Sequence, residues 1–233
     1  MAPDTSSPRI RLASERAAAG SLPTAREATA WPVSRSLLPS GFPDAKDWDA
    51  TSYISFCADW QGDHEDPERT TEVRMLWSLE TLFLRFDCHY REIWTFDDSD
   101  PNGRRDGLWD RDVAEAFLQP DDFGSRNYKE FEVSPNGLWV DLQISEEPRR
   151  DLKSGLRCTA SIDESARLWS AQMAIPMRAL THNFDPAKSW RANFFRAEGK
   201  DPNRAYLAWQ ATHTPQPQFH VPAAFGTLRF QRC

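Results

Sequence analysis

From about residue 50 onward, apolar residues recur at every second position almost without interruption. Side chains that alternate with a period of two belong to extended strands, whose successive residues point to opposite faces. The alternation falls into runs at 53–60, 71–77, 81–88, 112–118, 127–133, 138–144, 156–162, 168–175, 190–197, 205–210 and 226–230. Three links between these runs are short enough to make hairpins: 78–80, Ser134-Pro135-Asn136-Gly137, and 163–167. In the second of these, Asn-Gly supplies the positive φ that a tight turn needs. Pro176 ends its strand and can open a short helix that runs to Leu180. Short strands with turn signals between them predict an all-β fold, an antiparallel jelly-roll-like β-sandwich of about ten or eleven strands with one short helix. The stretch 1–21 is rich in Ala, Ser, Arg and Pro and has no strand pattern. It reads as a mobile leader, with 22–233 forming one domain.

Composition narrows the function. The formal net charge of −7, with no run of Lys and Arg, disfavours nucleic acid as a partner. No stretch of 18 apolar residues is present to span a membrane as a helix. No apolar run of signal-peptide length follows Met1, so the chain reads as cytoplasmic, or as secreted if its start lies beyond a removed signal. The four cysteines show no paired metal-ligand spacing and are expected to be buried thiols, with a Cys57–Cys88 bridge as the alternative. Ten Trp and fourteen Phe can fill a core and still leave indole faces for a flat ligand.

Five segments in order resemble family 9 carbohydrate-binding modules. They are Asp112-Val-Ala-Glu115-Ala-Phe117-Leu-Gln-Pro120, Tyr128-Lys-Glu-Phe131-Glu-Val-Ser-Pro135-Asn-Gly137, Trp169-Ser-Ala-Gln-Met-Ala-Ile175-Pro176, Trp190-Arg-Ala-Asn193-Phe-Phe-Arg196 and Phe219-His220-Val-Pro222-Ala-Ala-Phe225-Gly226. The first departs from the family pattern, because an Ala after the Val displaces the acidic residue by one. The resemblance covers about residues 40–231. It implies a non-catalytic sandwich that holds mono- or oligosaccharides, commonly at chain ends, between aromatic faces. It also implies a glycosidase as partner, because such modules are usually attached to one.

A pyranose offers apolar C–H faces to aromatic rings, and its hydroxyls require fixed donors and acceptors, of which charged ones bind more strongly. Trp109, in a loop before the strand at 112–118, and Trp209, near the end of a late strand, are the expected stacking pair, with Trp94 as substitute. Glu115, flanked by Ala114 and Ala116 in an apolar strand, and Arg196, after two Phe, are the expected charged pair at the hydroxyls. Asn193 is a weaker candidate, because three residues' separation points it away from Arg196. The loop at 97–106 places Asp98, Asp100 and Asn102 alternately before Gly103, like the opening of a calcium loop, but Trp109 stands where the bidentate Glu belongs.

Two other functions compete. Asp112 and Glu115 could serve a glycoside hydrolase, although three residues' separation on a strand turns them to opposite faces. Sandwiches of related architecture hold haem through Met and His, for which Met75, Met173, His89, His182, His213 and His220 are the candidates.

Overall fold

The computed structural model describes residues 26–33, 41–97, 103–120, 126–145 and 150–232. The leader at 1–21 and the candidate calcium ligands Asp98, Asp100 and Asn102 lie outside the described residues.

The alternating runs form strands where expected. Strand β3 (Thr71–Trp77) turns through Ser78–Glu80 into β4 (Thr81–His89), and β2 (Tyr53–Phe56) pairs with the outer edge of β3. Strands β6 (Tyr128–Val133) and β7 (Trp139–Ile144) flank the Asn136-Gly137 turn, where Gly137 has a φ of 86°. Strand β9 (Arg157–Asp163) returns as β10 (Leu168–Pro176), which leads into the short helix α2 (Met177–Leu180). Strand β5 (Val113–Gln119) lies between β6 and β11 (Trp190–Glu198). Strand β12 (Ala205–Ala208) continues from β11 as an antiparallel neighbour, and β13 (Gly226–Phe230) closes the chain.

Strand β1 (Glu27–Pro32) had no signal in the alternation. Its first four residues pair in parallel with β13, and Trp31 and Pro32 pair in parallel with β3. It therefore joins the half-sheet β7-β6-β5-β11-β13 to the half-sheet β3-β4-β10-β9, and the thirteen strands are continuous in hydrogen bonding. The remaining strand is the two-residue β8 (Arg150–Asp151), at the edge of β7. A second short helix, α1 (Ala45–Asp49), starts from Asp44, whose side chain accepts from the Lys46 and Asp47 amides. It presses Trp48 onto the second half-sheet, where Trp48 Nε1–H donates to Gln172 Oε1 at 3.1 Å.

The two half-sheets face each other across one main core. Ala114, Ala116, Phe131, Trp190 and Phe194 from the first meet Met75, Leu84, Phe86, Trp169 and Met173 from the second. Each buried side chain of Phe or Met size contributes about 1.5–3 kcal/mol by leaving water. The opposite face of β5, β6, β11 and β12 is the one that positions the site.

Cys57, Cys88 and Cys158 are free thiols. Burial pushes the Cys88 thiol up to about 11, which keeps it protonated and inert.

Candidate functional site

Period two sorts the residues of β5, β6 and β11 between the core and the outer face. On β5, Ala114, Ala116 and Leu118 enter the core, so Val113, Glu115 and Phe117 face outward. On β6, Phe131 and Val133 enter the core and Tyr128, Glu130 and Glu132 face outward. On β11 the outward set includes Asn193, Phe195 and Ala197, with Tyr206 and Ala208 beside them on β12.

This outward face is largely covered. A cluster of Phe117, Tyr128, Phe195 and Phe225 forms one flank, and a second of Leu108, Val113, Val140 and Ala197 forms the other. Between them opens a cleft of about 490 Å³, within the range of about 300–1,000 Å³ usual for small-molecule sites. Trp94, Trp109, Tyr206, Phe219 and His220 supply its aromatic lining, and Glu115 and Glu130 its buried carboxylates.

The rim comes from loops tied down by hydrogen bonds to the backbone. Trp109 lies in a short 3-10 turn, Leu108–Asp110, entered through Gly107 at a φ of 71°. The residue is 36% exposed, the largest exposure of any Trp among the described residues. The Arg204 guanidinium donates to the carbonyls of Gly199 at 2.9 Å and of Trp109 and Arg111 at 2.8 Å, binding that turn to the loop after β11. Trp94 is anchored by a reciprocal pair: its N–H donates to Asp112 Oδ2 at 2.9 Å, and Asp112 N–H donates to Trp94 O at 2.9 Å. The Gly199 amide donates to the other Asp112 oxygen at 2.7 Å. Burial pushes the Asp112 carboxyl up to about 6, against the lowering effect of those two amide donors. The Arg111 guanidinium lies 3.9 Å from the Trp94 ring centre, a cation–π contact that shields an indole face. On the far side, Phe219 stacks on Phe195 at 4.2 Å, and Tyr128 Oη and His220 Nδ1 share a 2.6 Å hydrogen bond.

Of the residues expected at the site, the structure brings together Trp109, Trp94 and Glu115. Three others lie elsewhere. Trp209 is 2% exposed and packs in the main core against Phe194 and over Gly226, where a Cβ would stand 2.6 Å from its ring. Just after β12 it shares the core with Leu207, and Tyr206 is the aromatic residue of that strand that lines the cleft. Arg196 is fully buried on the core face, opposite Ala114, whereas Glu115 pairs with Phe195, so the two charges never face the same space. Its partners are Glu198, at 2.9 Å, and the His89 carbonyl, at 2.9 Å. Asn193 does face outward, but its amide is consumed under the surface by Gln210, donating to that carbonyl and accepting from that amide at 2.9 Å each. Asp112 precedes β5 and both of its carboxylate oxygens are taken by the Trp94 and Gly199 amides, whereas Glu115 lines the cleft, so the two do not form a catalytic carboxylate pair there. Met75 and Met173 are core side chains.

Tyr206, Phe219, Arg204 and Glu130 also line this cleft without having been singled out from the sequence, and His220, named there only as a haem candidate, lines it too. Phe219 and His220 lie within the last of the five family-like segments, and Glu130 alternates with Phe131 in a pattern that a solvated strand face also shows.

A family model described as carbohydrate-binding family 9 matches residues 72–230. A protein from Arthroderma benhamiae described as an extracellular protein is 24% identical over 183 residues, 71% of this chain and 81% of its own length. Among solved structures, a candidate carbohydrate-binding protein from Bacteroides uniformis superposes with a TM-score of 0.68 at 18% identity, over 88% of this chain and 99% of that one. A family 9 module from Caldicellulosiruptor kristjanssonii superposes at 0.56 in its complex with glucose, at 12% identity, over 88% of this chain and 96% of that one. Its complex with cellotriose gives 0.59 at 13% identity, over 88% and 93%. At these identities the structural likeness is one of fold.

Proposed function

The chain belongs to carbohydrate-binding family 9 and binds carbohydrate without catalysing a reaction on it, and from that premise we propose that its site is the cleft on the outer face of β5, β6 and β11. The sugar rests an apolar C–H face on the Trp109 indole, with Tyr206 and Phe219 completing the aromatic lining. Its hydroxyls donate to the buried Glu115 and Glu130 carboxylates, bonds strengthened by the charge of the acceptor. The single observation that carries this reading is the position of Trp109, 36% exposed, at the mouth of a cleft that also holds two buried carboxylates. The glucose and cellotriose of the solved family 9 complexes support a glucose-type pyranose as the ligand.

Calorimetry with glucose, cellobiose and xylobiose tests the proposal. Trp109→Ala should weaken the best of these sugars by roughly 5- to 30-fold, the equivalent of about 1–2 kcal/mol of ring contact, with little change in melting temperature. Trp209→Ala should cost about 3–5 kcal/mol of stability and leave the affinity of the folded fraction unchanged. If Trp109→Ala binds as tightly as the parent, the cleft is not the site. A glycosidase acting on the same sugar is the proposed partner, supported by the usual attachment of such modules to these enzymes. Co-purification of such an enzyme from the source organism is the corresponding test.

A further inference from the structure

Glu130 of β6 lines the cleft, yet it is only 2% exposed. Its Oε2 is buried and has no hydrogen-bond partner among the described residues. A buried carboxylate oxygen without a donor is costly to the fold, and a ligand that supplies the donor recovers that cost on binding. Glu115 and Glu132 share this face but already have interactions within the protein. The charge around the opening has the same sign as Glu130. Asp110, Glu115, Glu130 and Asp201 line the cleft, against the guanidinium groups of Arg111 and Arg204. Those two cations are engaged at the rim. Arg111 donates to the Asp110 carbonyl and lies over the Trp94 and Phe96 rings, and Arg204 donates to the carbonyls of Gly199, Trp109 and Arg111.

We propose that the cleft selects a pyranose bearing a protonated amine, a glucosamine-type sugar, over its neutral counterpart, with the ammonium group donating to Glu130 Oε2. This selectivity rests on the cleft being the saccharide site. A sugar hydroxyl offers Glu130 one neutral donor, whereas an ammonium group offers three donors and a positive charge. The carboxylate is out of water before any ligand arrives, so its desolvation is a cost of folding and not of binding. The ammonium enters through an open mouth and keeps part of its hydration, which leaves most of the attraction as net gain. A free alkylamine carries the same charge but lacks the flat C–H face that the Trp109 ring receives. Charge and face together specify an amino sugar. An acidic sugar is disfavoured, because its carboxylate would meet like charges in the cleft lining.

Calorimetry at pH 7 with glucose, glucosamine and glucuronate on the parent protein is the test. Glucosamine should bind roughly tenfold more tightly than glucose, the gap between a charged and a neutral hydrogen bond, and glucuronate should bind most weakly. At pH 9, above the range of about 7.7–8.0 in which an α-amino group titrates, the amine is neutral and the gap should close. Glu130→Gln keeps the size of the side chain and removes its charge, and should bring glucose and glucosamine within about twofold of each other. Trp109→Ala should weaken both sugars and preserve their ratio. If the parent binds glucose but binds glucosamine no more tightly, the preference is overturned and the cleft reading stands. No heat with any of the sugars overturns both. A preference that survives in Glu130→Gln also overturns the proposal. If Glu130→Gln does not fold, a crystal of the parent with glucosamine decides the matter. An amine nitrogen at hydrogen-bond distance from Glu130 Oε2 supports the proposal, and one turned to solvent refutes it.

Discussion

Two groups of buried charge lie on opposite faces of the same half-sheet, and they are built in opposite ways. On the core face of β11, Arg196 and Glu198 are both fully buried and bonded to each other at 2.9 Å. Arg69 Nε–H and the Arg91 amide donate to the other Glu198 oxygen at 3.1 and 2.9 Å, and Arg196 also lies 5.2 Å from the Trp169 ring centre. On the outer face, Glu115, Glu130 and Glu132 bring three like charges together under an open cleft. Opposite charges closed among themselves hold a fold in register, whereas Glu130 Oε2, buried beside a cavity with no hydrogen-bond partner among the described residues, leaves an acceptor available to a ligand. The difference separates structure from function more sharply than burial does, since both groups are equally hidden. The comparison breaks if the core group proves dispensable. Arg196→Met strands Glu198 with only part of its compensation and should cost about 3–5 kcal/mol, lowering the melting temperature by roughly 10 °C or more. Sugar affinity of the folded fraction, read by calorimetry, should stay within twofold of the parent. A stable Arg196→Met with lost binding would mean that the core charges serve the ligand after all.

Asp112 is an intermediate case, a lone buried carboxylate held by the amides of Trp94 and Gly199 instead of by a bonded cation. Burial lifts its carboxyl from 3.8 to about 6, which corresponds to about 3 kcal/mol between its two protonation states. The folded state therefore binds this proton more tightly than the unfolded chain does. The stabilisation is fully present below about pH 4 and is lost as the pH rises through about 6. Relative to Asp112→Asn, the parent protein should lose up to about 3 kcal/mol across that window in denaturant titrations. Parallel pH profiles for the two proteins would show that the carboxylate is better solvated than its position under the Trp94 loop implies.

The hairpins were legible because their physics is local. Alternation at 71–88, 127–144 and 156–175 together with a turn such as Asn136-Gly137 needs no knowledge of the rest of the chain. Strand β1 escaped because both of its partners are parallel and distant in sequence, β13 at one end and β3 at the other, so no neighbouring turn announces it. Among the site residues, Glu115 was legible as a charge in an apolar strand and Trp109 as a loop indole. Trp209 misled because chemistry outweighed register: the same period of two that places Leu207 in the core places Trp209 there too, and only the absence of a side chain at Gly226 makes room for its ring. Glu130 and Glu132 alternate with Phe131 and Val133 as solvated residues would. Their burial comes from the loops carrying Trp94, Trp109 and Phe219, whose positions depend on long-range ties such as Arg204 to the Trp109 carbonyl.

A tyrosine–histidine pair on the outer face gives the gentlest test of the contrast. Tyr128 is 2% exposed and its ring stacks on Phe117 at 5.3 Å, while His220 stacks on the same ring at 5.2 Å and lines the cleft. The 2.6 Å bond between Tyr128 Oη and His220 Nδ1 joins the floor to the wall. Tyr128→Phe keeps the packing and deletes this one bond, which should cost about 1 kcal/mol, or about 2–4 °C in melting temperature. The loss should stay near that of one ordinary hydrogen bond and well below that of breaking the core ion pair. Sugar affinity should fall by no more than a few-fold, through a less fixed wall. A loss as large as that of Trp109→Ala would place the His220 imidazole in direct contact with the sugar, and the polar atoms of the outer face would then serve binding through the wall as well as through the carboxylate floor.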